Sequence, residues 1–366
     1  MAEGCPRCGF ADLTGDRCPQ CGVVVSVYRV SLEKLHRGPS APAPPPPSPP
    51  AEPSALRRLR FHGSALGLFG IQAMNALLTL LTAGVFYFWA KTRVRRYLLG
   101  ETEFEGDRFA YHGTGGELLV GFVKGVAVFF IPIAVLGILP ELYQAPEEVR
   151  ASLRSLLWLV GLLLVPVAMV GARRYRLSRT SWRGIRFSFR GRVRPFVGLF
   201  VVGTILTSLT LGLYYPVFDT QRQAFMVSHA YFGSRKFDFD GRGRDLLRPF
   251  VVMLLLFLPT LGLSWFWFAA RRQRYYTEHT RFGSTRFRSG VRGGPLAWLQ
   301  ITNVLAVVLT LGLLWPWSVV RSLNFTLRYL TLVGPLELAD IHQDAQAASA
   351  MGEGLAGLLD ADFGVG

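Results

Sequence analysis

A phrase of the form Thr-x-Gly, set among leucines and aromatics, recurs wherever a long apolar stretch of this chain runs into arginine. It reads Leu81-Thr82-Ala83-Gly84-Val85-Phe86-Tyr87-Phe88-Trp89, then Leu209-Thr210-Leu211-Gly212-Leu213-Tyr214-Tyr215-Pro216. It returns as Pro259-Thr260-Leu261-Gly262-Leu263-Ser264-Trp265 and as Leu309-Thr310-Leu311-Gly312-Leu313-Leu314-Trp315-Pro316. Internal repetition restricts the architecture before any local assignment does. The chain is built from copies of one unit.

The units are apolar. Six stretches, about 64–90, 118–140, 155–172, 195–218, 249–270 and 295–320, approach or exceed the roughly 20 residues that cross a bilayer core. Only 17% of the 366 residues are charged, against roughly 25% in a soluble domain. The N-terminus reads as polar, without a signal peptide, so that the first apolar stretch acts as an internal signal anchor. The net charge of +16 comes mostly from arginine. These arginines flank the apolar stretches, where the positive-inside rule places them. That reading is preferred to nucleic-acid binding, which the same charge would also suit.

All four cysteines lie in the first 21 residues, as Cys5-Pro6-Arg7-Cys8-Gly9 and Cys18-Pro19-Gln20-Cys21-Gly22. Two residues between cysteines let both thiolates reach one metal from a tight turn. Two such knuckles complete a tetrahedral structural Zn2+ site at Cys5, Cys8, Cys18 and Cys21. A four-thiolate site has no open position for catalysis, and it suits a reducing compartment, which puts the N-terminus in the cytoplasm. The ribbon takes residues 1–37. A proline-rich, semi-rigid linker follows at 38–55, then a membrane domain at 56–334 and an acidic tail at 335–366 with a short helix expected near 337–350. The tail either folds back on the arginine-rich loops or is solvated.

Each apolar stretch leads into a common tail. Arg95-Arg96-Tyr97 is followed by Thr102, Phe104, Gly106, Phe109, Tyr111 and Gly113. The pattern returns at Tyr175, Thr180, Trp182 and Gly184, at Phe225, Ala230, Phe232 and Ser234, and at Tyr275, Thr280, Phe282 and Ser284. Alternating aromatics in these tails predict short half-buried strands at the surface. The fold class is therefore a mainly α-helical multi-pass membrane protein of repeated helix–strand units, with a small N-terminal zinc ribbon.

Topology follows from charge. The stretches 118–140 and 155–172 are joined by a loop carrying Glu141, Glu147 and Glu148, and their outer flanks are basic. The positive-inside rule makes this pair a hairpin with its acidic loop outside and both ends cytoplasmic. With a cytoplasmic ribbon, stretch 64–90 must then enter and leave on one side. Two readings stand. Either the Gly of each Thr-x-Gly breaks stretches 1, 4, 5 and 6 into re-entrant hairpins, or the chain runs as a plain six-pass serpentine.

At these residues the chain resembles the YjgN-like family of bacterial inner-membrane proteins, a family of unknown function. The resemblance covers about 61–363 and rests on the Thr-Leu-Gly phrase, the Arg-Arg-Tyr after it, the aromatic tails and the closing Gly352-Glu353-Gly354-Leu355-Ala356 with Asp360. It implies a multi-pass bacterial inner-membrane protein and carries no catalytic residues. The zinc ribbon is an addition to that core.

Candidate sites are few. His229 and His279 fall at equivalent positions, where Glu101 and Arg179 stand in other units. They are either pH-sensing groups or polar residues at helix ends near the interface. Lys124, the only charge inside its apolar stretch, is either an intramembrane functional group or a snorkelling side chain. Gln72/Asn75 and Gln300/Asn303 share an i, i+3 spacing in the first and last units. They either line a polar membrane site or hydrogen-bond across helices. Arginine-rich loops suit anionic lipid headgroups. No nucleophile–base pair, phosphate loop or paired-carboxylate motif stands out, and no enzyme is read. Two functions remain: a transport or channel protein, or a membrane-embedded scaffold or lipid-interacting protein whose ribbon recruits a cytoplasmic partner.

Overall fold

A computed structural model gives the fold; it describes residues 56–338 and 340–343, together with 7, 11, 15–19, 21 and 24–27. Residues 1–53 and 54–366 form two compact units. In the first, Cys18 is buried and Cys21 half-buried. The chain on either side is tied by a bridge from Arg17 to Val24 and by Asp16, whose carboxylate accepts from the Ser26 backbone and hydroxyl at 3.0 and 2.7 Å. Cys5 and Cys8 lie outside the described residues.

The second unit is built from paired helices, each pair followed by paired strands. The helices are α1 (Ala65–Leu81), α2 (Tyr87–Gly100), α3 (Gly115–Leu142, with a π-turn at Val126–Phe130) and α4 (Glu147–Ser178). Next come α5 (Val193–Leu209), α6 (Tyr215–Ser228), α7 (Arg244–Phe257), α8 (Ser264–Glu278), α9 (Gly293–Leu309) and α10 (Trp315–Tyr329). The strands are β1 (Arg60–Phe61), β2 (Thr102–Phe104), β3 (Asp107–Tyr111), β4 (Thr180–Trp182) and β5 (Ile185–Phe189), then β6 (Ala230–Phe232), β7 (Arg235–Phe239), β8 (Thr280–Phe282), β9 (Thr285–Ser289) and β10 (Leu330–Val333).

The tails do not form separate surface strands. They join in one antiparallel sheet in the order β1 to β10, because each strand of two to five residues leaves an edge that only the next unit can pair. The sheet then closes. Arg57, just before β1, exchanges both backbone hydrogen bonds with Leu332 of β10, at 3.1 and 2.9 Å. The helices close the same circle, α10 packing against α1. Five units result, and the fifth is shared between the ends of the chain. Leu59 and Phe61 take the places held elsewhere by Phe109 and Tyr111, as the register Phe61↔Thr102 against Tyr111↔Thr180 requires.

Closure creates the core. Phe104, Trp182, Phe232, Phe282 and Leu332, equivalent in the five units, are all buried in one cluster, with Leu59, Phe109, Phe187, Phe237 and Phe287 packed against them. Adjacent rings contact at 5.3 Å (Phe104–Trp182), 5.7 Å (Trp182–Phe232) and 6.2 Å (Phe232–Phe282), the offset and edge-on separations aromatic pairs favour. Residues 335–338 and 340–343, expected as part of the solvated or folded-back tail, lie against this sheet. Ile341 is buried in the same cluster, Pro335 O accepts from Thr285 at 2.7 Å, and Glu337 pairs with Arg235 at 3.3 Å. Among the described residues this segment is not helical, contrary to the expected helix near 337–350; its backbone instead caps the sheet, and residues 344–350 lie outside the description.

Candidate functional site

Each Thr-x-Gly phrase is a reversal. Thr210 ends α5 with its Oγ1 donating to Leu206 O at 2.7 Å, and the same oxygen accepts from Tyr214 N at 3.0 Å. Thr82, Thr260 and Thr310 repeat both bonds. The residue after each Thr is left-handed, with φ near 50° at Leu211, Leu261 and Leu311, and the Gly that follows has φ 91° at Gly212 and Gly312. That Gly donates five residues back, Gly212 N to Thr207 O at 2.7 Å. The turn therefore satisfies polar groups that a helix end leaves open, using only its own residues. Pro216 and Pro316 open the returning helices, where a missing N–H costs nothing.

The two ends of a hairpin are pinned together at the sheet. Tyr97 OH bonds the Ser64 backbone at 2.8 and 3.1 Å. Tyr175 OH donates to Glu117 at 2.8 Å, beside a two-pronged Arg179–Glu117 pair at 3.0 and 2.9 Å. Tyr275 OH donates to Asp245 at 2.6 Å. Stretches 64–90, 195–218, 249–270 and 295–320 are each broken into two helical arms, and both ends of each hairpin lie at one sheet, the geometry that the re-entrant reading expects.

Hairpin length divides the units. The first arms of units one, three and five have 17 residues, about 25 Å at 1.5 Å per residue. The arms of the second unit have 28 and 32 residues and are, among the described residues, the two helices long and apolar enough to cross a membrane, about 42 and 48 Å. The far turn of the long pair is polar, with Arg150 on Glu141 and Glu147 at 3.0 and 2.8 Å. The short tips are bare and apolar: Leu211, Leu261 and Leu311 are 94%, 95% and 97% exposed.

Halfway along the short arms sits a charge cluster that the segment boundaries concealed. Asp219 of α6 is buried and accepts from Arg222 one turn on, from Arg272 of α8 at 3.2 Å and from Tyr276 OH at 2.8 Å. Arg272 also donates to Tyr215 OH at 3.0 Å. Asp219 stands nine residues before the end of its helix, about 14 Å above the sheet. One carboxylate between two guanidiniums leaves a net positive charge. The apolar stretch 195–218 stops one residue short of Asp219, and its partners lie 53 and 57 residues on. The Asp219/Arg222 spacing of i, i+3 was the available signal.

The remaining candidates are placed as follows. Asn303 is buried and bonds within its own hairpin, donating to Ser322 Oγ at 2.9 Å and accepting from Arg321 at 3.1 Å. Asn75 is buried and donates to Ala90 O at 3.4 Å. Gln72 is half-buried and Gln300 exposed. The two amide pairs do not meet in one polar site, because each Asn is held by its own returning arm. Lys124 is exposed, nine residues into α3 from its sheet end. His229 and His279 cap α6 and α8, each with Nδ1 against the carbonyl four residues back, of Phe225 and Tyr275, at 2.9 and 2.8 Å. No group of three or more His, Cys, Asp or Glu side chains converges among the described residues, and those include only two of the four cysteines.

The family described as bacterial protein of unknown function (DUF898) matches residues 57–261 and 247–358. The inner membrane protein YjgN of Escherichia coli strain K12 is 32% identical over 152 residues, 42% of this chain and 36% of that protein. YjgN of Salmonella typhimurium is 28% identical over 167 residues, 42% of this chain and 40% of that protein. The matches thus span less than half of these relatives' length. No solved structure matches.

Proposed function

The chain belongs to this DUF898 family of bacterial proteins, and on that premise we propose that it is an inner-membrane protein that works within the lipid of one leaflet. Its second unit crosses the bilayer as a hairpin. The other four enter from the sheet side and turn back inside the hydrocarbon. The carrying observation is that both ends of each short hairpin sit on one closed sheet while the tips are exposed leucines on turns whose backbone N–H groups are all bonded. A bilayer core of about 30 Å accommodates a 25 Å arm and leaves its tip short of the far surface. The named location of the YjgN relatives supports the placement.

This arrangement favours a lipid-interacting scaffold over a through-channel, since the axis of the sheet is filled by aromatic side chains. Transport remains the second reading, supported by the Asp219–Arg272 cluster inside the ring, because ionisable groups at membrane depth mark solute pathways. The sheet faces the cytoplasm on the positive-inside rule. Cys18 and Cys21, one buried and one half-buried, fit half of a four-thiolate zinc site with its flanks tied by the Arg17–Val24 bridge; Cys5 and Cys8 would complete it, and the metal would hold the 1–53 unit folded for a cytoplasmic partner. Single cysteines at Leu211, Leu311 and Gln144 test the topology with membrane-impermeant maleimide. Labelling of Gln144→Cys from the periplasm alone, with both tips silent from either side, is expected. Rapid labelling of a tip from the periplasm overturns the re-entrant placement.

A further inference from the structure

Between the filled barrel and the ring of returning helices lies a cavity of about 310 Å³. It sits on the axis of the ring, because equivalent residues of successive units line it: Phe187, Phe237 and Phe287 from the strands, Leu177, Val227 and Thr277 from the helices. Into this mostly apolar space comes Arg173 of α4. Its Nε is buried with no hydrogen-bond partner, and no carboxylate lies within ion-pair distance of it among the described residues. Gln223, which occupies the equivalent place in the next unit, also lines the cavity.

Elsewhere in the ring Arg179 is paired with Glu117 and Arg272 with Asp219. Arg173 is not. A guanidinium withdrawn from water without a counter-charge is costly. It also presents a planar fork suited to a carboxylate or phosphate. The three phenyl rings opposite it offer no polar partner and suit methylene groups. The volume lies at the small end of the roughly 300–1,000 Å³ typical of ligand sites.

We propose that this axial cavity binds an amphiphilic oxyanion, a phosphate or carboxylate head on a short apolar body, with Arg173 and Gln223 on the head and the Phe187/Phe237/Phe287 face on the body. The proposal deepens the lipid-interacting reading. It stands apart from it experimentally, since tip labelling tests the placement and ligand binding tests the cavity.

The test uses the full chain in phosphatidylcholine nanodiscs, titrated with octyl phosphate, inorganic phosphate and octanol. Octyl phosphate is expected to bind at least about tenfold more tightly than either control, and Arg173→Met to lose about tenfold or more of that affinity. Without ligand, Arg173→Met is expected to melt no lower than the parent, because it removes an unbalanced buried charge. Should that variant not fold, Val227→Phe fills the cavity from another wall and is expected to abolish binding. Competition by phosphatidylglycerol in the nanodisc identifies a lipid headgroup as the source of the anion; its absence identifies a free amphiphile. Equal binding of octanol, equal binding of inorganic phosphate, or unchanged binding in both variants overturns the proposal.

Discussion

Replacing Thr310 by valine asks directly what surrounds a hairpin tip. Valine keeps the volume and branching of threonine, so packing changes little. Three hydrogen bonds go, the weakest of them to Val307 O, which still accepts from Gly312 N. The bond to Ala306 O at 2.6 Å is dispensable, since that carbonyl still accepts the backbone N–H of residue 310 at 3.2 Å. The bond from Leu314 N at 3.1 Å is its only one, and its loss orphans an amide. An orphaned amide shielded from water costs about 1–3 kcal/mol. Interhelical hydrogen bonds in membranes average only about 0.6 kcal/mol, but there both partners find substitutes, whereas here the donor has none. In water the amide would simply be hydrated, and the cost would fall within about 0.5 kcal/mol, as for other surface substitutions. Equilibrium unfolding in mixed micelles, read from tryptophan fluorescence, separates the two ranges. The quadruple variant at Thr82, Thr210, Thr260 and Thr310, on four separate turns, is expected to lose roughly four times as much, about 4–12 kcal/mol. A loss below about 0.5 kcal/mol for Thr310→Val, in a variant that keeps its fold, refutes the lipid-embedded tip.

Further outcomes follow from other contacts. Gly212→Ala is expected to cost about 1–2 kcal/mol although its Cβ would touch nothing, because φ is 91°. Gly198→Ala, inside α5 with equally open space, is expected to be neutral or stabilising by about 0.5–1 kcal/mol; paired melting curves read both. Asp219→Asn strands Arg222 and Arg272 and is expected to destabilise by about 3 kcal/mol, the low end for a broken buried pair because both arginines keep some exposure. A double-mutant cycle with Arg272→Met should recover part of that loss. Trp182→Ala empties one place in the five-membered layer and strands Phe104 O and Asp107 O. It should cost about 3–5 kcal/mol in chemical denaturation. Metal analysis of the purified chain should find about one zinc per chain, lost in Cys18→Ser without a change in the unfolding of residues 54–366.

Much of this was legible in the sequence because it is local. Thr-x-Gly is a closed set of hydrogen bonds within nine residues, so four copies of the phrase announce four reversals. The long apolar stretches of the second unit and their acidic turn likewise identify the one hairpin that differs. The Phe-x-Phe tails announced strands. Their partners were not announced, because a strand of three residues pairs with whatever the next unit brings beside it. Phe61-His62-Gly63 repeats Tyr111-His112-Gly113 and carried the hint of a fifth unit, but a repeat split between the two ends of a chain has no period to detect.

What only the tertiary structure decided is the ring. Its closure depends on the angle each unit turns about the axis, a sum of strand twist and helix packing over five units that no single segment encodes. The bonds of Arg57 with Leu332 and the cavity that Arg173 shares with three phenyl rings follow from that closure, and the meeting of Asp219 with Arg272 follows from the packing of neighbouring units. They join residues far apart in the chain. The sequence by itself determined that the chain turns back in each short unit; the circle alone decided which side chains then face one another.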